Sequence, residues 1–415
     1  MRGEASCDGF PEVPLGSLLT QKPKNGYSPK DVPDWTGLQA LGLGCLSATG
    51  LAPVQLKNVP DTALARRSLL TDGDLLMSRA NTRELVGLVG RFTYAGHPCI
   101  YPDLMMRLRP DEARCLSSYL EIVLRSNRVR RDVRAGARGT SDSMVKIGAP
   151  LVEGLEIPLP RIEEQRQIVT VHVAFERRIT ALERMLDKLR VAEEALTVSA
   201  LAPMDEDTWD CVPLETVATV AAGVTLGSEP VGDGTVELPY LRVANVLDGR
   251  IDTADVKTVR ILRSQYERFA LRKGDLLLTE GGDLDKLGRG AVWDGRIAEC
   301  LHQNHVFRVR CGERMVPEFL ALYTSSAAGR AYFQRVGKQT TNLASINSTQ
   351  VKHMPIPVPP LDEQEHVLGP IRAVRHRSAA LGRQIAKLRI VQQGVIEDLL
   401  AGRVRVPEVA SAEAA

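Results

Sequence analysis

The sequence predicts an α+β protein with two repeated, mixed but mostly β globular domains, separated by two long antiparallel coiled-coil helices and related by a pseudo-twofold axis. Two observations lead to this prediction. Residues 157–165 (IPLPRIEEQ) are repeated 199 residues later as residues 356–364 (IPVPPLDEQ), and each copy precedes a long apolar heptad pattern. A repeat of this size is typical of a duplicated domain and is too long for a solenoid unit.

Further matched phrases extend the repeat through both halves. Residues 13–15 (VPL) match residues 212–214 (VPL), and residues 73–76 (GDLL) match residues 274–277 (GDLL). Each half is therefore predicted to hold one globular domain of ordinary size. The predicted boundaries are 1–160 for the N-terminal globular domain, 161–203 for the first long helix, 204–359 for the C-terminal globular domain, 360–403 for the second long helix and 404–415 for a disordered tail.

Each globular domain is predicted to be a small sheet or partial barrel with a helix packed on it. In the second half, residues 238–245 and 305–309 alternate between apolar and other residues, and Asp248-Gly249 is a turn signal. Residues 316–334 have the apolar spacing of a helix, and residues 117–124 repeat that helix in the first half. Short strands separated by glycine turns are typical of a small sheet or partial barrel.

The first long helix is predicted to begin near Ile162, because Pro158 and Pro160 block helix before it, and to end near Leu201, before Pro203. Both long helices carry apolar residues at spacings of three and four, the pattern of paired helices. The predicted pairing positions in the first helix are Phe175, Ile179, Leu182, Leu186, Leu189 and Leu196. Those in the second helix are Val374, Leu381, Ile385, Leu388 and Val395.

The heptad pattern has two interpretations. Each helix could pack only on its own domain, or the two helices could pair with each other. Two equal patterns in one chain favour pairing. The short link of residues 203–211 then requires an antiparallel pair, because the second helix must start near the far end of the first.

Composition excludes several classes of protein. Apolar residues make up 44% and charged residues 25%, which is typical of globular proteins and not of disordered ones. The seven cysteines are odd in number and form no Cys-x-x-Cys pair, so reduced thiols are expected rather than a disulfide framework. His302 and His305 with Cys300 lack a nearby fourth ligand, and no metal site is predicted.

No membrane segment is predicted. The N-terminus lacks the apolar run of a signal peptide, and no stretch of about 18 uncharged apolar residues occurs. A cytoplasmic protein is expected. The formal net charge of +2 is too small for nucleic-acid binding through bulk electrostatics, so any DNA contact must rest on local patches or on partner subunits.

Two similar domains related by twofold symmetry suit duplex DNA, whose half-sites mirror such an axis. At this point the chain resembles a known family over nearly its whole length: the specificity subunits of type I restriction-modification systems. The resemblance rests on the helix starts at Glu164-Gln165 and Glu363-Gln364, the two GDLL phrases, and residues 302–307 (HQNHVF) and 337–343 (GKQTTNL). In the first half, residues 136–143 (GARGTSDS) depart from the last phrase.

The resemblance implies a function shared among several subunits. Each globular domain would read one half of a split double-stranded DNA target, and the helices would set the gap and dock two methyltransferase subunits. A motor and nuclease subunit would join the assembled methyltransferase. The chain itself would bind no cofactor, whereas the partner methyltransferase would use S-adenosylmethionine.

Candidate DNA contacts are basic and polar residues near strand ends and along one arginine-rich segment. Arginine suits phosphate clamps and bidentate contacts with guanine. The candidates in the first half are Arg79, Asn81, Arg83, Arg128, Arg130, Arg131, Arg134 and Arg138. Those in the second half are Lys286, Arg289, Lys338, Gln339, Thr340, Thr341 and Asn342. The alternatives are a solvated helix face for the arginines and a structural turn for residues 338–342.

Catalytic signatures are missing from the sequence. There is no Asn/Asp-Pro-Pro-Tyr/Phe methyltransferase motif and no phosphate-binding Gly-x-x-x-x-Gly-Lys-Ser/Thr loop. The sequence therefore predicts a non-catalytic specificity subunit. The alternative is a stand-alone DNA-binding or coiled-coil adaptor protein: the first would require a more basic surface, and the second would show no sequence-dependent DNA binding.

Overall fold

The computed structural model describes residues 9–139, 144–201, 209–227, 230–282, 286–339 and 344–406. The chain divides into two compact units, residues 1–183 with 383–415 and residues 184–382. Each unit therefore contains one globular part and half of each long helix. Apolar residues at the ends of the long helices pack on the globular parts: Ile168 and Leu399 in the first unit, and Leu368 and Ile371 in the second. Among the described residues, no helix has the length and apolar character needed to cross a membrane.

The first unit contains thirteen described strands and begins the first long helix. Its strands are β1 (Glu12–Pro14), β2 (Lys24–Asn25), β3 (Gln39–Leu41), β4 (Leu46–Ser47), β5 (Gly50–Leu51), β6 (Leu56–Asn58), β7 (Leu75–Ser78), β8 (Ala80–Asn81), β9 (Val89–Arg91), β10 (Cys99–Ile100), β11 (Met105–Leu108), β12 (Val145–Lys146) and β13 (Glu156–Pro158). Its α-helices are α1 (Ala63–Arg66), α2 (Ser117–Arg125), α3 (Asn127–Gly136), α4 (Ala149–Glu153) and α5 (Ile162–Leu201), the last shared with the second unit.

The second unit repeats this series. Its strands are β14 (Asp210–Pro213), β15 (Ala218–Ala222), β16 (Thr235–Leu241), β17 (Val246–Leu247), β18 (Arg250–Ile251), β19 (Lys257–Leu262), β20 (Leu276–Thr279), β21 (Gly281–Gly282), β22 (Gly290–Val292), β23 (Leu301–His302), β24 (Val306–Cys311), β25 (Lys338–Gln339), β26 (Ala344–Ser345) and β27 (Pro355–Val358). Its α-helices are α6 (Tyr266–Phe269), α7 (Pro317–Ser325), α8 (Ala327–Val336), α9 (Ser348–Lys352) and α10 (Leu361–Leu400), the last shared with the first unit.

The two units have the same sheet topology. The first has an antiparallel sheet of order β2-β11-β7-β9, and the second has its counterpart, β15-β24-β20-β22. A three-stranded sheet accompanies each, β10-β3-β6 and β19-β16-β23, with one parallel and one antiparallel pairing. The predicted internal repeat of mixed, mostly β domains is confirmed.

The helical segment predicted at residues 316–334 is two helices, α7 and α8. Ser326 lies between them in an extended conformation, and its hydroxyl accepts a hydrogen bond from the Gly329 N–H at 3.2 Å. Ser126 separates α2 from α3 in the same way. Prediction of one helix was wrong because apolar spacing continues across a serine that starts a new helix.

The two GDLL phrases form the start of a buried central strand in each unit. Gly73 and Gly274 have φ of +86° and +94°, a conformation that favours glycine. Asp74 accepts the Thr71 N–H at 2.9 Å and pairs with Arg107 at 3.1 Å. In the second unit, the Asp275 carboxylate makes two bonds to Arg310, at 2.7 and 2.8 Å. These phrases therefore stabilise the sheet.

A buried glutamine joins the start of each long helix to its globular part. In the first unit, the Gln165 side-chain oxygen accepts the Leu116 N–H at 2.9 Å, and its amide donates to the carbonyls of Arg114 and Pro160, both at 2.9 Å. In the second unit, Gln364 repeats all three bonds, with the Val316 N–H and the carbonyls of Arg314 and Pro359. Both glutamines are 0% exposed.

The long helices pack together, as predicted. Ile179, Leu182, Leu381 and Ile385 are buried. The remaining predicted pairing positions are half-buried: Phe175, Leu186, Leu189, Leu196, Val374, Leu388 and Val395.

Two contacts in the first unit show that the helices are antiparallel there. In the first unit, Glu176 contacts Gln392 at 2.7 Å and Glu183 contacts Arg389 at 2.5 Å, so the numbering rises along α5 as it falls along α10. In the second unit, Glu193 contacts Arg375 at 2.6 Å.

Polar residues that were not among the predicted pairing positions also lie between α5 and α10. The Gln392 amide is 3.2 Å from His172 Nδ1 and donates to Glu176. Burial lowers the pKa of His172, and the charge of Glu176 opposes that shift. A buried polar layer of this kind favours one register of the helix pair, because any other register would leave its groups without partners.

Replacing a buried glutamine by leucine should destabilise the protein. Gln364→Leu leaves one N–H and two carbonyls without their partner, and we expect a loss of about 2–4 kcal/mol in the free energy of unfolding. Denaturant unfolding would measure it. Gln384→Leu, at an exposed position of the same helix, is the matched control and should change stability by less than about 0.5 kcal/mol. Equal effects of the two variants would contradict the structural role of Gln364.

Candidate nucleic-acid interface

Three segments of the first unit meet where β7 ends. β8 pairs with β12, which places Asn81 opposite Val145 and Ala80 opposite Lys146. The residues after α3 join this ribbon, because Arg138 bridges to Lys146. We call the resulting surface the strand-end face of the first unit. It contains Arg79, Asn81, Arg83, Arg134, Arg138 and Lys146.

The strand-end face of the first unit is rich in cations. Arg83 donates to the Arg134 carbonyl at 3.3 Å, which holds the loop after β8 against α3. Within the described part of the chain, no carboxylate pairs with Arg79, Arg138 or Lys146. These groups therefore remain available to an anionic ligand such as a phosphate or a carboxylate.

Two of the arginines predicted as DNA contacts bind other groups of the protein. Arg130 is buried and donates to the carbonyls of Val86 at 2.5 Å and Glu84 at 2.6 Å. Burial, with the neighbouring charge of Arg134, lowers the pKa of the Arg130 guanidinium to about 10. Arg128 makes a two-bond ion pair with Glu12 of β1, which raises its pKa. Arg130 supports the loop beneath the strand-end face, and Arg128 belongs to a different surface.

The other predicted residues of the arginine-rich segment are exposed. Arg131, Arg134 and Arg138 are all accessible to solvent. The segment is therefore not one continuous contact surface, and only its C-terminal part reaches the strand-end face.

The corresponding surface of the second unit is less basic. β26 lies between β21 and β25, so that Ser345 is opposite both Gly281 and Lys338. We call this surface the strand-end face of the second unit, with Glu280, His305, Lys338, Gln339 and Ser345 as its members. Lys338 and Gln339 are exposed. The predicted contacts Thr340, Thr341 and Asn342 lie outside the described residues.

Lys286 and Arg289 come after β21 in the chain. Lys286 is exposed, whereas Arg289 is half-buried and its carbonyl accepts the Thr279 N–H at 2.9 Å. The Arg289 Nε atom is buried without a hydrogen-bond partner in the described structure. Arg289 therefore has a structural position beside β20, and Lys286 is the more accessible of the two.

Cys300 and His302 belong to the core of the second unit. The His302 Nδ1 atom is 2.7 Å from the Val306 carbonyl, and burial lowers the pKa of this histidine to about 4. Burial also raises the pKa of the Cys300 thiol to about 12. No group of three or more His, Cys, Asp or Glu residues in the described ranges is arranged to hold a metal ion.

Comparison with known proteins connects this architecture to one family. Residues 206–369 match the family model described as the type I restriction modification DNA specificity domain. The chain is 22% identical over 332 residues to the type I restriction enzyme EcoKI specificity subunit of Escherichia coli K12, which covers 75% of this chain and 69% of that protein. It is also 22% identical over 209 residues to the putative MjaX specificity subunit of Methanocaldococcus jannaschii.

The chain is thus similar to the specificity subunits of type I restriction-modification systems, and residues 206–369 match their DNA specificity domain. The MjaX match covers 50% of this chain and 48% of that protein, so the chain spans about half the length of this relative.

Solved structures have the same fold. A chain from a study of assembly and conformational transition in a type I restriction-modification system matches with a TM-score of 0.57 and 17% identity, over 95% of this chain and 98% of that one. The S subunit from M. genitalium matches with a TM-score of 0.54 and 13% identity, over 98% and 99%.

The family model matches only residues 206–369, in the second half of the chain, yet the first unit has the same fold. Its sheets have the same order, and Gln165 makes the same three bonds as Gln364.

Lys146 was not predicted as a residue of the strand-end face, because its position there depends on strand pairing with residues far away in the chain. The only signal was the repeat itself, which aligns Ile147 with Ile346.

Arg130 and Arg131 should differ in their effects on stability. Arg130→Met removes both bonds to the carbonyls of residues 84 and 86, and we expect a loss of about 3 kcal/mol in the free energy of unfolding. Arg131→Met, one residue along the same helix, changes an exposed side chain and should have little effect. Denaturant unfolding of both variants tests this, and equal stability of the two would refute the supporting role of Arg130.

Proposed function

We propose that this chain is a type I specificity subunit that reads a bipartite DNA sequence, with one half recognised by each globular unit. The match of residues 206–369 to a DNA specificity domain, together with the same fold in the first unit, is the observation that carries the proposal. Two domains with one fold and different surface residues suit a target with two different halves. A stand-alone DNA-binding or adaptor function has no comparable support.

The cations of the strand-end face of the first unit support contact with DNA on that surface. Arg79, Arg138 and Lys146 have no carboxylate partner among the residues that the structure describes. Lysine and arginine side chains that neutralise phosphates position a protein on the duplex, whereas contacts with base edges give the sequence preference.

The chemistry belongs to partner subunits in this proposal. Two methyltransferase subunits would bind to the chain and transfer a methyl group from S-adenosylmethionine, and a motor and nuclease subunit would join them. The long helices offer surface for such partners, because they expose apolar side chains as well as charged ones. Val191 and Ile390 are 67% and 73% exposed. The specificity subunit would contribute recognition and no catalytic residue.

Methylation mapping tests the proposal most directly. DNA from cells that carry this chain with its methyltransferase should be methylated at a split motif of two short half-sites. Cells that lack only this chain should lose that methylation. Methylation that persists at the same motif without the chain would refute the proposed function.

The paired helices are proposed to set the gap between the half-sites. Each helix has 40 residues, which corresponds to about 60 Å. Deleting one heptad from each helix, residues 183–189 and 380–386, preserves the heptad pattern and removes about 10 Å. At 3.4 Å per base pair, the gap should shorten by about three base pairs while both half-sites stay the same.

Methylation mapping of the double deletion gives the new motif. Deletion from α5 alone is the control, because it leaves the two helices unequal and should impair assembly. An active complex with the double deletion and an unchanged gap would contradict the spacer role of the helices.

A further inference from the structure

Arg79 and Glu280 occupy the same position in the two units. The Arg79 N–H donates to the Leu104 carbonyl at 2.8 Å, and the Arg79 carbonyl accepts the Ile147 N–H at 2.9 Å. The Glu280 N–H donates to the His305 carbonyl at 3.0 Å, and the Glu280 carbonyl accepts the Ile346 N–H at 2.8 Å. The backbone is therefore held by the same pair of bonds, while the side chains carry opposite charges.

The surroundings of the two side chains differ in a way that suits their charges. The Glu280 carboxylate lies 2.5 Å from His305 Nδ1, and the Asn304 amide lies 3.4 Å from the other ring nitrogen of His305. In the first unit, Leu104 stands where His305 stands in the second. Arg79 is half-buried, and its guanidinium has no hydrogen-bond partner in the described part of the chain.

Both side chains remain accessible at their strand-end faces. The side chains of Glu280 and His305 are 29% and 56% exposed. Gly281 and Gly282 follow Glu280, so no side chain of β21 covers the carboxylate. Ala80, the smallest residue with a Cβ, follows Arg79 and is buried.

A basic residue lies near each of these two positions in both units, whereas the side chains at positions 79 and 280 have opposite charges. Arg138 in the first unit and Lys338 in the second follow the end of α3 and α8, and each pairs with the strand beside position 79 or 280. A basic residue is kept at that place in both units, which suits a phosphate contact common to every sequence. Position 79 and its counterpart 280 change sign, which suits a contact that depends on the base.

We propose that Arg79 and Glu280 are specificity-determining residues that read base edges in the two half-sites. This inference rests on the proposed function. A guanidinium donates two bonds to O6 and N7 of guanine in the major groove, and a carboxylate accepts a bond from the N4 amino group of cytosine. Arg79 would select guanine in one half-site, and Glu280 would select cytosine in the other. His305 is a positioning residue that holds the Glu280 carboxylate in place.

The test uses the full chain in complex with its methyltransferase and a DNA library in which both half-sites are randomised. Arg79→Gln should lower the preference for guanine by about fivefold or more at one position of one half-site. Glu280→Gln should lower the preference for cytosine by a similar factor at one position of the other half-site. In each case, the rest of the motif should be unchanged.

Two exposed residues away from the strand-end faces provide matched controls. Arg67→Gln and Glu313→Gln make the same chemical changes and should leave the motif as it is in the wild type. Thermal unfolding of each variant checks that it folds. Glu280→Arg is a second test, because it gives the second unit the side chain that the first unit has at this position. It should replace the preference for cytosine by a preference for guanine at the same position of that half-site.

The outcomes separate this inference from the proposed function. A wild-type complex without any split motif would refute both. A wild-type split motif that stays the same in Arg79→Gln and Glu280→Gln, or that weakens evenly at all positions, would overturn the inference and leave the proposed function intact. A change confined to one position of one half-site in each variant would support it.

Discussion

The buried glutamine at the start of each long helix is the interaction on which the organisation of each unit depends. Leu116 precedes α2 without a side-chain cap, and Gln165 of α5 accepts its N–H. One side chain thereby joins the starts of two helices and also satisfies the carbonyl of Pro160. The groups that meet here are one N–H and two carbonyls, so a side chain that binds all three must both accept and donate. Glutamine meets that requirement, and its 0% exposure makes the loss of any one bond costly.

The sequence predicted the features that depend on local pattern and on repetition. The helix starts, the apolar seam and the duplication were all readable, because proline, heptad spacing and matched phrases act over short distances along the chain. The contacts of the arginines could not be predicted from the sequence. Arg130 binds carbonyls of residues 84 and 86, more than forty positions earlier, and Arg128 binds Glu12 of the first strand. Pairing of this kind is decided by tertiary packing, which a run of arginines in the sequence does not reveal.

The comparison of the two units separates structural residues from variable ones within a single chain. Gly73 and Gly274 have the same positive φ, and Gly87 and Gly288 also agree, with φ of +72° and +66°. A side chain at Gly87 or Gly288 would also collide with Val133 or Phe333. Such positions are fixed by backbone geometry and core volume. At the strand-end faces the two units differ in charge, with Arg79 in the first and Glu280 at the same position in the second. Their divergence therefore reflects the surface rather than the fold.

The small net charge of the chain is compatible with DNA binding because charges are distributed unevenly. Several arginines pair with carboxylates of the same chain: Arg310 with Asp275, Arg375 with Glu193 and Arg389 with Glu183. The carboxylates used in this way leave Arg79 and Arg138 without acidic partners in the described part of the chain. The field near the strand-end face of the first unit is thus more positive than the total of +2 indicates. A chain with few such groups should bind DNA weakly alone, which agrees with the proposal that partner subunits join it on the DNA.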